Sequence, residues 1–240
     1  METNDLGTPK ISPCFENLKP LDQMTSLTSL TEAFYQQYLN KEKPEIISIK
    51  KQATKELVES GIGKICLQTG DKIPIFSLPN VAGDQVNIVD LLARGPLVIS
   101  FYRGSWCGYC NLEMRVLQKA LPYIRAVGAD LIAISPEKLT EACDLIETFQ
   151  IEFPILSDRD NMIAKQFGLV YTMPPQLQPI FRDKFDINVP EKNGNDSWEL
   201  PITATYIVAP DRTIIHAFTD PNHTHRLEPR DIIEILCKQL

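Results

Sequence analysis

No stretch of the 240-residue chain approaches the roughly 18 uninterrupted apolar residues of a membrane-spanning helix. Its first residues, Met1 to Asp5, are polar and acidic where a secretory leader would carry an apolar stretch. Both absences point to a cytoplasmic protein. Clustered positive charge is missing too: 24 Lys and Arg against 31 Asp and Glu leave a formal charge of −7. With no basic block, nucleic acid and anionic membrane surfaces are not expected partners. The six cysteines are too sparse for a disulfide scaffold, and a chain this long does not need one. There is no second Cys-x-x-Cys, and the lone His-x-His pair, His223 and His225, sits in a polar loop. Neither a metal site nor a bound cofactor is therefore expected.

Against this background stands Phe101 to Cys110, which sets Cys107 and Cys110 two residues apart where an apolar run gives way to a helical pattern. Pro96 to Tyr102 reads as a buried strand. Beyond the pair, Leu112, Val116, Leu117, Ala120 and Leu121 recur at helical spacing, which predicts a helix over 107–121. A thiol at a helix N-terminus meets unpaired N–H groups and the positive end of the dipole, so it ionises below the ordinary value of about 8.5. Spacing favours Cys107 as the low-pKa thiol, with Cys110 one turn further in. Three neighbours each have two readings. Trp106 is a flat wall beside the thiols or ordinary packing. Glu113 relays a proton from Cys110 or simply complements the helix dipole, and Arg103 steadies a thiolate or is a solvated surface residue. Cys143 and Cys237 share helical faces with apolar residues and are predicted to be buried and inert, while Cys14 falls in the tail and Cys66 at a boundary.

With 43% hydrophobic residues the chain can bury one substantial core. Residues 1 to about 20 read as a tail. Helical patterns from Leu27 to Leu39 and from Pro44 to Gly61 form an arm that could cover the domain itself or a second subunit of a homodimer. A boundary near residue 66 divides this extension, 1–66, from a domain over 67–240. In that domain the predicted order is strand 97–102, helix 107–121, strand 130–135, helix 139–150, strand 154–156, helix 160–167, strands 203–208 and 213–218, and helix 228–239. Such alternation predicts an α/β sheet covered on both faces. The Pro-rich segment at about 171–201 is longer than an ordinary connection and reads as an insertion over the active-site face or a flexible excursion.

Phe101 to Cys110 resembles the active-site block of the peroxiredoxin-like branch of the alkyl hydroperoxide reductase and thiol-specific antioxidant superfamily. Gly70 to Pro79 and Thr203 to Val208 resemble that superfamily's opening motif and the strand that follows its site. The resemblance implies a thioredoxin-like three-layer α/β sandwich with an N-terminal helical extension. It also implies a thiol-dependent peroxidase that reduces hydrogen peroxide or alkyl hydroperoxides through a Cys107–Cys110 dithiol and disulfide. A thioredoxin-like or glutathione-dependent reductant would restore the dithiol. Laid over peroxiredoxins, the chain puts the peroxidatic thiol on Cys110 and its glutamate on Glu113, with Arg103 in place of a proline, Cys107 in place of a threonine or serine and Thr203 in place of an arginine. Laid over thioredoxins, Cys107 attacks and Cys110 resolves, while Ser100 replaces a buried acid. Which sulfur attacks first stays open at this point, and so do two further readings, a thiol–disulfide oxidoreductase acting on protein disulfides and a redox sensor.

Overall fold

The computed structural model describes residues 26–239. The predicted tail over residues 1 to about 20, with Cys14, lies outside the described residues. The chain opens with helices α1 (Leu27–Lys41), α2 (Pro44–Glu59) and the short α3 (Ile62–Ile65), then the hairpin β1 (Ser77–Pro79) and β2 (Gln85–Asn87) and helix α4 (Ile88–Leu92). There follow β3 (Leu97–Phe101), α5 (Gly108–Ala126), β4 (Asp130–Ser135), α6 (Leu139–Phe149), β5 (Ile155–Ser157) and α7 (Met162–Gln166). The last elements are β6 (Val170–Thr172), α8 (Val189–Asn193), β7 (Glu199–Pro201), β8 (Ala204–Val208), β9 (Ile214–Thr219) and α9 (Pro229–Cys237).

Five strands form the central sheet in the order β5-β4-β3-β8-β9. β3 pairs in parallel with β4 and antiparallel with β8, with Ile99 opposite Ile132 on one side and Tyr206 on the other. All five residues of β3 are buried, as a strand covered on both faces requires. The period-2 alternation of the strand divides the core. Leu97, Ile99 and Phe101 face a layer containing α4 and α7, while Val98 and Tyr102 face a layer built by α5, α6 and α9. The result is a three-layer α/β sandwich. Ser100, between Val98 and Tyr102 in phase, lies on the α5 side, where its hydroxyl meets Glu113.

Two details depart from the sequence expectation. α5 runs to Ala126, straight through Pro122, instead of ending at 121. Proline costs the helix one backbone bond, but Leu121 and Ile124 on either side are fully buried, and that packing carries the helix on. The stretch predicted as helix from 160 starts instead with a 3-10 turn at Arg159–Asn161 before α7. Asp158, buried there, accepts the backbone N–H groups of Ile163 (2.9 Å) and Ala164 (2.8 Å) and so supplies the start signal of α7.

α1 lies against α5. Its N-cap Ser26 accepts from the backbone of Ser29 at 3.2 Å, and the Glu228 carboxylate accepts from the N–H groups of Leu27 (3.0 Å) and Thr28 (2.7 Å). A carboxylate from the start of α9 thus complements the first turn of α1. Between β6 and β7, which pair antiparallel, the chain forms a π-helical turn at Ile180–Lys184 and α8 around a small cluster of Met173, Phe181, Val189 and Leu200.

Candidate active site

Cys107 is the N-cap of α5 and Cys110 sits in its first turn. The loop that delivers them needs glycine at Gly104: its φ is +146°, and a Cβ there would fall 2.3 Å from the Trp106 indole nitrogen. Glu137, buried after β4, fixes the same loop by accepting the Ser105 backbone N–H at 2.7 Å and the Ser105 hydroxyl at 3.0 Å.

Two arginines flank the thiols. Arg103 is 6% exposed, so the solvated reading does not hold. Its Nη2 donates to Cys107 Sγ at 3.0 Å, and its guanidinium lies 5.3 Å from the Trp106 ring centroid. Arg226, from the loop before α9, places Nη2 3.7 Å from Cys110 Sγ and Nε 2.7 Å from the Glu113 carboxylate. Its Nη1 donates to the carbonyls of His223 and His225. Glu113 also accepts from the Ser100 hydroxyl at 3.4 Å. Glu113 and Arg226 are therefore a buried ion pair under the cysteines, beyond a simple partnership with the helix dipole.

The environment drives the two thiols apart. Burial alone would raise Cys107, but the hydrogen bond from Cys110 and the charges of Arg103 and Arg226 outweigh it and hold Cys107 well below the ordinary thiol value. Burial pushes Cys110 well up, and the adjacent Cys107 sulfur pushes it further. Burial likewise raises Glu113, against the pull of Arg226. Although it caps the helix, Cys107 is only 3% exposed. It does line a cavity of about 760 Å³, whose other walls come from α1, α2, the segment after β6 and the loop at 220–226. Cys110 is 0% exposed and does not reach that space.

Trp106 is both wall and packing: it lines the cavity and meets Phe181 edge to face, with centroids 5.9 Å apart. On the other side, Phe34 of α1 stacks edge-on against Tyr109 at 5.0 Å. Gly108 makes that approach feasible, since a Cβ there would lie 2.5 Å from the Phe34 ring. His223 rests against Tyr109, with centroids 5.4 Å apart. Burial and the charges of Arg103, Lys50 and Arg226 push it well below the usual imidazole value. It is a neutral wall residue. Among the described residues no cluster of His, Cys, Asp or Glu could hold a metal ion, and no helix is long and apolar enough to cross a membrane.

The other cysteines divide differently from the expectation. Cys143 is exposed, because α6 turns Ala142 and Leu145 inward and leaves Cys143 on its outer side. Cys237 is buried as predicted, but it is disulfide-bonded and so is not an inert free thiol. Cys66 lies in the apolar cluster on the far face of the sheet, where burial pushes its thiol up to about 11 and its Sγ donates to Ile62 O at 3.1 Å. Sequence reasoning missed Arg226, Lys50 and Glu137 as parts of this site. Arg226 is 113 residues from its partner Glu113, and no local pattern signals it.

Comparison with known proteins identifies the family. The AhpC/TSA family matches residues 69–217. Peroxiredoxin Bcp of Escherichia coli K12 is 32% identical over 103 residues, covering 43% of this chain and 65% of that protein. The crystal structure of peroxidoxin BcpB from Mycobacterium tuberculosis superposes with a TM-score of 0.57 at 20% identity, over 72% of this chain and 98% of that one. That of a cysteine-to-serine mutant of PrxQ from Xylella fastidiosa gives 0.55 at 15%, over 72% and 97%. The structural likenesses establish the thioredoxin-type fold. With more than half the chain matched by the family, this chain belongs to the AhpC/TSA family and is an oxidoreductase of the peroxiredoxin type.

Proposed function

We propose that this peroxiredoxin-type oxidoreductase attacks peroxide with Cys107 and resolves with Cys110. The observation that carries the reading is the polarity of the pair: the Arg103 guanidinium sits 3.0 Å from Cys107 Sγ, which faces the cavity, while Cys110 is sealed beneath with its thiol protonated. The Cys107 thiolate attacks one peroxide oxygen, so that an S–O bond forms and the O–O bond breaks. The departing alkoxide or hydroxide takes a proton from solvent. The Cys110 sulfur then attacks the Cys107 sulfenic acid; an S–S bond forms, and the hydroxyl leaves as water with the Cys110 proton. Two electrons from an external dithiol restore the pair, and the peroxiredoxin relatives support a thioredoxin-type donor. A cytoplasmic setting, where thiols are kept reduced, suits this cycle.

In the test, the reduced protein is mixed with hydrogen peroxide in a stopped-flow instrument beside Cys107→Ser and Cys110→Ser. Cys110→Ser should accumulate a sulfenic acid that a trapping reagent labels on Cys107, and Cys107→Ser should be inert to peroxide. The reverse pattern reassigns the nucleophile to Cys110. A second reading, exchange with protein disulfides, draws on Glu113: its buried carboxylate touches Ser100, the position where thioredoxins carry their acid. Reduction of a protein disulfide at a rate exceeding peroxide turnover would favour it.

A further inference from the structure

The cavity over Cys107 is far larger than a small peroxide needs. Its volume is about 760 Å³, whereas a water molecule, only slightly smaller than hydrogen peroxide, occupies about 30 Å³ in the liquid. That size falls within the range of sites for organic ligands. Its walls are strongly aromatic, with Phe34, Tyr35, Tyr38, Trp106, Phe181 and Phe185 among the lining residues.

One cation of the lining meets aromatic rings but, among the described residues, no hydrogen-bond acceptor. Lys50, projecting from α2, is half-buried, and its ammonium lies 4.3 Å from the Tyr38 ring centroid, 5.2 Å from that of Phe185 and 5.8 Å from that of Phe181. Among the described residues no hydrogen bond or ion pair joins it to an acceptor. Burial, followed by the charge of Arg103, lowers its pKa to about 8, so it still carries charge at neutral pH. The two carboxylates among the lining residues are engaged elsewhere: Asp220 with His225 at 2.7 Å and Glu32 with Gln36 at 2.7 Å. Arg103 and Arg226, the buried arginines of the lining, are committed to Cys107 and to Glu113.

From this juxtaposition we infer that the cavity takes an organic hydroperoxide bearing a carboxylate, with the carboxylate on Lys50 Nζ, the hydrocarbon against the aromatic wall and the peroxide end at Cys107. The inference rests on the peroxidase reading and adds a specificity-determining residue, Lys50, to it. The chemical step is the one given above: the peroxide becomes a hydroxy acid and water, and the Cys107–Cys110 disulfide forms.

The test measures the oxidation rate of the full chain by a long-chain hydroperoxy fatty acid, by the methyl ester of the same compound and by hydrogen peroxide. The acid should outpace the ester by about tenfold, the factor that about 1.4 kcal/mol of charge-assisted hydrogen bonding supplies. In Lys50→Met the acid-to-ester ratio should fall to near one, and in Lys50→Arg it should persist. Equal rates for acid and ester in the wild type, or an undiminished ratio in Lys50→Met, would overturn the inference while leaving the peroxidase reading intact. If none of the three peroxides oxidises the protein faster than a free thiol, both fail together. A preference for the acid that is equally strong when the competitor is a small carboxylate-bearing thiol would mean that Lys50 serves the reductant, and would also overturn it.

Discussion

Arg103 offers the sharpest perturbation. Its Nη2 lies 3.0 Å from Cys107 Sγ, and both residues are buried, so solvent screens the contact little. A hydrogen bond to a charged group contributes about 1.5–3 kcal/mol, which shifts the thiol–thiolate equilibrium by about 10- to 140-fold at about 1.4 kcal/mol per decade. The rate of attack on peroxide falls by less. A more basic thiolate is a better nucleophile, with a Brønsted slope of about 0.4–0.5, so roughly half of the logarithmic loss returns and a net loss of up to about 15-fold remains. We expect Arg103→Met to show this loss near neutral pH in stopped-flow oxidation, with the thiolate absorbance titrating at higher pH. In alkaline solution the variant should match or exceed the wild type. Arg103→Lys, which keeps the charge but not the planar fork, should fall between them. A deficit that persists undiminished at alkaline pH would refute the reasoning, because the role of Arg103 would then be to hold the peroxide and not the thiolate.

Three other outcomes are expected. Burial raises the Glu137 carboxyl from 4.5 to about 7, so the folded state holds a proton that the unfolded chain releases. Stability from this group is complete below the unfolded value and is lost as pH rises through about 7, by about 3 kcal/mol. Urea titrations across that window should show the decline, and Glu137→Gln should flatten it; an unchanged slope would contradict the assignment. Glu113→Gln leaves Arg226 buried and unpaired and should cost about 3–5 kcal/mol in urea unfolding, while adding Arg226→Met should recover much of that loss. A cost near zero for the single change would show that the pair contributes nothing. Gly108→Ala pushes a Cβ to 2.5 Å from the Phe34 ring. Overpacking of that kind costs about 1–3 kcal/mol, so limited proteolysis of α1 should quicken about tenfold or more, and Phe34→Ala should relieve the effect.

Much of the fold was legible because local pattern and tertiary role coincide in it. β3 is an apolar run because it is buried on both faces, and α5 repeats its apolar residues at helical spacing because one side faces the sheet. Pro122 misled because the local rule at that position is overridden by burial of its neighbours. Cys143 misled because, of the face it was read to share with Leu139, Ala142 and Ile146, Ala142 and Ile146 pack on the core while Cys143 itself falls on the outer side of α6. Within the site, Cys107, Cys110, Arg103, Trp106 and Glu113 stand close in sequence and could be found together. Arg226, Lys50 and Glu137 could not, since each is brought in by a different element and carries no motif. The sequence left the order of attack undecided, because helix position and family overlay point to different sulfurs. Of the two arginines that polarise the pair, Arg103 stands in the motif itself, but Arg226 enters only with the third dimension.

The contact between Glu228 and the start of α1 joins residues 201 positions apart, and with Phe34 on Gly108 and Lys184 on Glu42 it holds the arm over the cavity. The arm is thus a tethered ligand of its own domain. For a segment held nearby by a short connection, the effective concentration is of roughly millimolar order, so even weak docking contacts keep it in place for most of the time. Because residues of α1 and α2 line the cavity together with Cys107, any occupant that touches them adds contacts that favour the docked arm.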